Sequence, residues 1–237
     1  MLSIVEKSKK TVEEKASTDI ASKDLCTVFN KDWEPTKKHS NPVKYIENLK
    51  DADILRTIFE IMHLKDIYRR WYLLEWRDVP VEKCESDADH CFGVAMIALI
   101  LAVEYYPELD LEKVLIMAIL HEIGEVYIWD LTPHDRKNKK ISPEEKHELE
   151  KEAVIKILSK LWNGQKYIKI WLEFEEWKTP EAKFVQQMDK LEMLIQASIY
   201  KWHYDNEQLR EFLDRNGKCI KSEELQKIVE QLYSMFQ

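Results

Sequence analysis

Acidic and imidazole side chains interrupt some of the most apolar stretches of this sequence. In AILHEIGEVYIWDLTPHD, residues 118–135, four positions that suit aliphatic residues in a buried helix carry His121, Glu122, Glu125 and Asp130. Burying a carboxylate is costly unless a counter-charge accompanies it. Glu122 and Glu125 are also three residues apart, so on one helix they would be neighbours and repel. A divalent cation bound by imidazoles and carboxylates would satisfy the whole set.

Two further polar positions lie in apolar helical patterns, namely His90, which follows Asp89, and Asp189. Each has a simpler explanation when taken singly. A histidine in an apolar helix is usually a hydrogen-bonded core residue, and Asp189 has Lys190 beside it as a salt-bridge partner. The joint pattern favours a metal site, whereas spacing alone leaves ordinary packing open.

The composition favours a helical scaffold for these residues. The chain has 237 residues with only 4 glycines and 7 prolines, 45% apolar residues and a formal net charge of −8. An acidic chain is a poor partner for nucleic acid. Four cysteines without a C-x-x-C pair indicate reduced thiols. We find neither an 18-residue uninterrupted apolar run nor a signal peptide, so we expect no membrane partner and a cytoplasmic location.

Helix-capping residues divide the chain into elements. Residues 1–45 are rich in charged and hydroxyl side chains and are interpreted as a flexible N-terminal extension, and residues 46–237 as one all-α helical domain. The apolar residues of the first helix fall on one face, at Ile54, Leu55, Ile58, Phe59 and Met62. Later helices are predicted to begin after Ser86 or Asp87, Asp110, Ser142 and Thr179, and a final helix covers about residues 221–235. Residues 110–130 are predicted to form one helix that ends before Thr132-Pro133.

Five segments together resemble a known family. The segments are EW at 75–76, ESDADH at 85–90, HEIGEVYIWDLTP at 121–133, SPEEKHELEKEA at 142–153 and TPEAKFVQQMDKLEMLIQAS at 179–198. In order and spacing they resemble the HD-domain metal-dependent phosphohydrolases, in the branch of small 5′-deoxynucleotidases. The resemblance covers about residues 50–205 and implies an all-α helical bundle, which agrees with the independent reading of the composition.

The resemblance implies a role for several residues. The family's metal ligands fall on His90, His121, Glu122 and Asp189. Its catalytic carboxylate falls on Glu125, and a second acidic site residue on Asp130. Trp76 matches a tryptophan beside the nucleotide, with Arg77 as a candidate substrate contact.

Two positions depart from the family pattern. The family's second HD residue is Asp, whereas this chain has Glu122, which is one methylene longer. An arginine that holds the substrate phosphate in family nucleotidases is replaced by Glu75, which would repel a phosphate. Arg69, Arg70, Arg77 or the lysines of residues 136–140 are candidates to take over that role.

The function implied by the resemblance is metal-dependent release of phosphate from (deoxy)nucleoside 5′-monophosphates by a homodimer. Mn, Co, Fe, Ni, Zn or Mg is the expected divalent metal. The two departures motivate an alternative, a degenerate HD-fold protein that binds a nucleotide or a partner without turnover. A di-metal oxygenase is a third hypothesis, but the additional histidine ligands it needs are not placed by the sequence. His134 and His147 are favoured as ordinary residues, because His134 lies in a proline-containing loop and His147 matches a charged helix of the family.

Overall fold

The computed structural model describes residues 52–74, 79–133, 141–201 and 206–235. Within these ranges the regular elements are helices, and Tyr68 forms an isolated antiparallel bridge with Ser86. The α-helices are α1 (Asp53–Met62), α2 (Arg70–Leu74), α3 (Asp87–Tyr105), α4 (Leu111–Leu120), α5 (Glu125–Ile128), α6 (Pro143–Leu158), α7 (Gly164–Glu176), α8 (Pro180–Ile199), α9 (Asn206–Gly217) and α10 (Glu223–Ser234). The all-α prediction is therefore confirmed, and the extension predicted for residues 1–45 lies outside the described residues.

Side-chain caps begin the long helices where the sequence predicts them. Ser86 accepts a hydrogen bond from the Asp89 backbone N–H at 3.2 Å, and Asp89 accepts one from the Ser86 N–H at 2.9 Å. This reciprocal capping box fixes the start of α3 just before His90. The side chains of Asp110, Ser142 and Thr179 cap α4, α6 and α8, and each accepts one hydrogen bond from the backbone N–H three residues later.

The helix predicted for residues 110–130 is broken, and that prediction is wrong. Helix α4 ends at Leu120, residues 121–124 form a turn, and α5 follows. Gly124 packs directly against α6, where a Cβ on this residue would lie 2.8 Å from the Glu150 Cβ. His121 and Glu125 therefore belong to different elements, the turn and α5.

Helix α1 is confirmed, but its apolar face is exposed among the described residues. Ile54, Leu55, Ile58 and Met62 are between 43% and 67% exposed. The buried positions of α1 are polar instead, because Glu60 accepts hydrogen bonds from Lys160 and from the Tyr127 hydroxyl. Helix α9 has no counterpart in the elements predicted from sequence.

Two hydrophobic clusters hold the bundle together. The larger is built on α3, α4 and α8, and the smaller on α5, α6 and α7. By length and composition α3 would be able to cross a membrane, a property it shares with core helices of water-soluble proteins. Here it packs against α4 and α8 and carries the fully buried His90. The polar side chains predicted to do chemistry gather where these helices meet.

Candidate metal centre

Four side chains predicted as metal ligands converge from three segments. His90 comes from α3, His121 and Glu122 from the turn after α4, and Asp189 from α8. The His90 Nε2 lies 3.3 Å from the His121 Nε2 and 3.2 Å from an Asp189 carboxylate oxygen. A Glu122 oxygen lies 3.8 Å from the His90 Nε2 and 3.7 Å from the His121 Nε2. We call these four residues the central cluster.

The outer nitrogen of each histidine is held by an acceptor. The His90 Nδ1 is 2.5 Å from a Glu192 oxygen, and the His121 Nδ1 is 2.9 Å from the Ala118 carbonyl oxygen. Because both acceptors require an N–H, each Nδ1 carries a proton and each Nε2 presents its lone pair toward the cluster. Two lone pairs 3.3 Å apart repel unless a cation or a proton lies between them. Two imidazoles and two carboxylates are ligands that suit Mn, Co, Fe, Ni and Zn.

In the absence of a metal, a proton supplies the positive charge. Burial and the nearby Arg69 lower the pKa of His90, but Glu192 and Asp189 outweigh them and raise it to about 10. Burial lowers the pKa of His121, and the positive His90 adds to that effect. Burial would raise the pKa of Asp189, but Lys190 and His90 hold it well below its usual range. The cluster is thus arranged for one shared positive charge.

The extra methylene of Glu122 does not remove its carboxylate from the cluster. One Glu122 oxygen accepts a hydrogen bond from the Arg69 guanidinium at 2.7 Å while it remains near both Nε2 atoms. Burial opposes ionisation of Glu122, but Arg69 and the two histidines lower its pKa to about 2. Glu122 is therefore an ionised carboxylate at the cluster, as the family's aspartate would be.

Glu125 is the first residue of α5, three residues after Glu122 of the central cluster. It is 2% exposed, and one of its oxygens accepts a hydrogen bond from Lys146 at 3.1 Å. The other oxygen is buried without a hydrogen-bond partner among the described residues. Burial and repulsion from Glu122 raise the pKa of Glu125 well above its usual range, although Lys146 lowers it. A carboxyl group with a raised pKa can both accept and donate a proton near neutral pH.

Asp130 is directed to the site by a strained backbone. The residue before it, Trp129, has φ 71° and ψ 165°, a region that residues other than glycine rarely occupy. After this turn, Asp130 accepts a hydrogen bond from the Arg70 backbone N–H at 2.7 Å. Its other oxygen lies 3.9 Å from the Arg69 guanidinium. Such strain typically persists where it serves a site.

Glycine at position 93 makes room for the carboxylate that holds His90. A Cβ at Gly93 would lie 2.7 Å from a Glu192 oxygen. Glu192 is one turn after Asp189 on α8, so the ligand and the partner of His90 come from the same helix. The sequence pattern gives the spacing of Asp189 and Glu192 but not the contact of Glu192 with His90.

Two further side chains lie beside the central cluster. Asp87 was not predicted as a site residue, and Arg69 was one of several arginines predicted as candidates to bind the phosphate. Arg69 is 7% exposed, and its guanidinium contacts Glu122, with Asp87 at 3.8 Å. Asp87 is fully buried, and neither of its oxygens has a hydrogen-bond partner within the described part of the chain. Burial and Asp130 raise the pKa of Asp87 well above its usual range. Its position three residues before His90 on α3 is the signal that would have found it.

Trp76 and Arg77, predicted to contact the substrate, lie outside the described residues, as do Glu75, His134 and the lysines at 137, 139 and 140. A cavity of about 370 Å³ has a lining that contains Lys190, the neighbour of Asp189 in the chain. Its lining includes Trp71, Pro133, Lys190 and Arg215. Lys190 links the cavity to the central cluster, because its ammonium group donates a hydrogen bond to Asp189 at 2.9 Å.

Comparison with known proteins identifies one family and several relatives. Residues 61–230 match the family described as HD domain. The chain is 39% identical to the 5′-deoxynucleotidase HDDC2 of Dictyostelium discoideum over 53% of its own length and 68% of that protein. It is 30% identical to the 5′-deoxynucleotidase HDDC2 of Mus musculus over 76% of its own length and 87% of that protein. Among solved structures, a conserved hypothetical protein from Pyrococcus furiosus matches with a TM-score of 0.59 and 31% identity over 76% of this chain and 99% of that one.

Proposed function

The chain belongs to the HD-domain family, and from that premise we propose that it is a metal-dependent phosphohydrolase that releases phosphate from (deoxy)nucleoside 5′-monophosphates. The observation that carries the proposal is the convergence of two imidazole Nε2 atoms and two carboxylates on one buried point. The relatives named 5′-deoxynucleotidase support the reaction and the class of substrate.

His90, His121, Glu122 and Asp189 are the proposed ligands of one divalent cation. A cation held there supplies Lewis-acid stabilisation of the negative charge on a phosphoryl oxygen. Glu192 keeps the His90 ring oriented, and the Ala118 carbonyl does the same for His121. Rings fixed in this way bind a metal without paying the entropy of reorientation.

Glu125 is the proposed catalytic acid and base. Its raised pKa follows from burial and from Glu122, and the Lys146 ammonium group holds one of its oxygens. Glu125 can therefore take a proton from the attacking water and return one to the leaving sugar oxygen. Lys146 orients Glu125 and balances its charge.

Arg69 is the proposed phosphate-binding cation. It would take the role of the family arginine that Glu75 replaces in this chain. The guanidinium is buried and already lies beside Glu122. Arginine suits this role because its planar N–H groups match two phosphate oxygens at once. Asp130 and Asp87 flank the guanidinium and fix its position.

The cavity lined in part by Lys190 is the proposed place of the nucleoside. Trp71 offers an aromatic face, and the Arg215 guanidinium lies 4.7 Å from the centre of that ring. A volume of about 370 Å³ falls in the range of small-molecule sites. Trp76 and Arg77 remain predicted substrate contacts.

A homodimer is proposed from one face of α3. Phe92, Met96, Ile100 and Val103 recur at helical spacing and are between 41% and 68% exposed. An apolar stripe of this length on a helix is typical of an interface with another protein surface. Sedimentation analysis of the wild-type chain and of Ile100→Asp tests the pairing, and we expect dimers for the first and monomers for the second. A cytoplasmic location remains a prediction.

Phosphate release tests the proposed function. The purified chain is loaded with Mn²⁺, Co²⁺, Mg²⁺ or Zn²⁺ and given deoxy- and ribonucleoside mono-, di- and triphosphates. We expect release from monophosphates that requires the metal and disappears in Glu125→Gln. Glu148→Gln changes an exposed carboxylate on α6 and is the matched control. Metal binding without release from any nucleotide would contradict the proposal and favour the non-catalytic alternative.

A further inference from the structure

A second group of ligand-type side chains lies outside the central cluster. His147 and Glu150 are three residues apart on α6, and Glu175 faces them from α7. One potential ligand atom from each residue lies within 4.8 Å of the other two. The His147 Nδ1 lies 3.0 Å from a Glu175 oxygen. We call these three residues the peripheral cluster.

The side chains of the peripheral cluster are held in place by their neighbours. The His147 ring stacks on the buried Trp171 with the two ring planes 11° apart and the centroids separated by 5.9 Å. One Glu150 oxygen accepts a hydrogen bond from Lys146 at 2.6 Å. A carboxylate has two oxygens, so Glu150 can keep Lys146 on one and offer the other to an ion. Pre-positioned ligands lose little entropy when they bind a metal.

The spacing and the access suit a divalent cation. Ligand atoms that lie about 2.0–2.2 Å from a common ion are separated from one another by roughly 3–4 Å. The side chains of His147 and Glu175 are 38% and 22% exposed, so water can enter and complete the coordination. One imidazole and two carboxylates are typical ligands of Zn²⁺, Co²⁺ or Mn²⁺.

The two carboxylates are crowded without a cation. Glu150 and Glu175 offer carboxylate oxygens that lie within 4.8 Å of each other, so their negative charges repel. A hydrogen bond from His147 to Glu175 relieves part of the repulsion in the metal-free chain. A divalent ion would replace this proton and serve both carboxylates together.

We propose that His147, Glu150 and Glu175 form a second divalent-cation site, separate from the central cluster. An ion there cross-links α6 to α7. Two contacts connect the peripheral cluster to the central cluster. Lys146 bridges Glu150 and Glu125. The Trp171 indole N–H donates a hydrogen bond to the His121 carbonyl oxygen at 3.2 Å. Filling the site stabilises the helices that carry Lys146 and support His121.

Metal content tests this proposal on the full chain. Each variant is stripped with a chelator and dialysed against Co²⁺ or Zn²⁺, and the bound metal per chain is measured by mass spectrometry. We expect Glu175→Gln and His147→Gln each to bind one equivalent less than the wild type. Glu176→Gln changes the adjacent exposed carboxylate, which pairs with Lys178, and is expected to match the wild type.

Thermal unfolding of the Asp189→Ala variant tests the peripheral cluster separately from the central cluster. In Asp189→Ala, where the central cluster is disabled, we expect Co²⁺ to raise Tm by several degrees through the peripheral cluster. Adding Glu175→Gln should abolish that shift, and circular dichroism confirms that both variants fold. Unchanged metal content in both Glu175→Gln and His147→Gln would overturn the proposal, as would an unchanged Tm shift.

Discussion

The central and peripheral clusters contain the same kinds of side chain in very different surroundings. In the central cluster the histidine side chains are at most 3% exposed, and their Nε2 atoms face each other at 3.3 Å. In the peripheral cluster His147 is 38% exposed and already donates a hydrogen bond to Glu175. Lys146 further neutralises Glu150. The central cluster therefore has a much greater need for an added cation.

The two clusters also differ in how their potential ligand atoms are oriented. Partners outside the central cluster, such as Glu192 and Ala118, direct both Nε2 atoms inward, so a cation or a shared proton is needed between them. The peripheral cluster meets most of its hydrogen-bonding needs by itself, so we expect it to bind a cation more weakly. Burial and ligand orientation, more than ligand type, set the expected order of cation affinity of the two clusters.

The largest expected effect comes from removing a central ligand. Asp189→Ala should lower phosphate release from a deoxynucleoside monophosphate by about 10³-fold, because the metal contributes several kcal/mol to charge stabilisation. Metal analysis of the same samples should show loss of the central ion. If Asp189→Ala retained both metal and activity, the contrast between the two clusters would collapse.

Glu125→Gln should separate metal binding from catalysis. The amide keeps the shape but can no longer exchange a proton, so we expect kcat to fall by about 10²- to 10⁴-fold. Metal content should stay at the wild-type value, since Glu125 is not among the proposed ligands. A Glu125→Gln variant that lost the metal would place this residue among the ligands instead of the catalytic groups.

Gly93→Ala should weaken the central cluster through its outer support. The new methyl group would lie 2.7 Å from a Glu192 oxygen and displace the carboxylate from His90. We expect a loss of about 10- to 100-fold in metal affinity, as is usual when an outer partner of a ligand is removed. Isothermal titration with Mn²⁺ measures it, with Gly217→Ala on α9 as the control. Equal affinity in the two variants would show that Glu192 does not orient His90.

The smallest expected effect concerns the pH dependence of the peripheral cluster. The pKa of Glu175 is raised in the folded chain from about 4.5 to about 7. The folded state therefore holds this proton more tightly, and the resulting stability is fully present below pH 4.5 and is lost as the pH rises through 7. Between pH 5 and pH 8, the free energy of unfolding of the metal-free wild type should fall by about 1–3 kcal/mol more than that of metal-free Glu175→Gln. Urea unfolding measures it, and parallel pH profiles for the two proteins would contradict the assigned shift.

The sequence predicted the starts of α3, α4, α6 and α8, and the resemblance implied the residues of the central cluster. Ser86, Asp110, Ser142 and Thr179 cap the helices as predicted, because a cap is a local hydrogen bond between neighbours in the chain. The convergence of His90, His121, Glu122 and Asp189 agrees with the residues implied by the resemblance. Their roles as ligands remain a prediction.

Contacts between distant segments were not predictable in the same way. The sequence offered Arg69, Arg70 and Arg77 without a means to choose among them, and only the packing brings the Arg69 guanidinium to Glu122. The close packing of Gly124 against Glu150 likewise joins the turn after α4 to the distant helix α6. The polar burial of Glu60 depends on Lys160, which is a hundred residues away.

By itself the sequence predicted the starts of α3, α4, α6 and α8, because a cap acts over a few positions, and its resemblance to the family implied which residues carry the chemistry. Only the tertiary structure decided how those residues face one another. It turned the His90 and His121 lone pairs inward, set Arg69 beside Glu122 and left Asp87 buried without a hydrogen-bond partner among the described residues. The physical reason is that pairing, burial and repulsion between charges depend on distances between segments that no local pattern specifies.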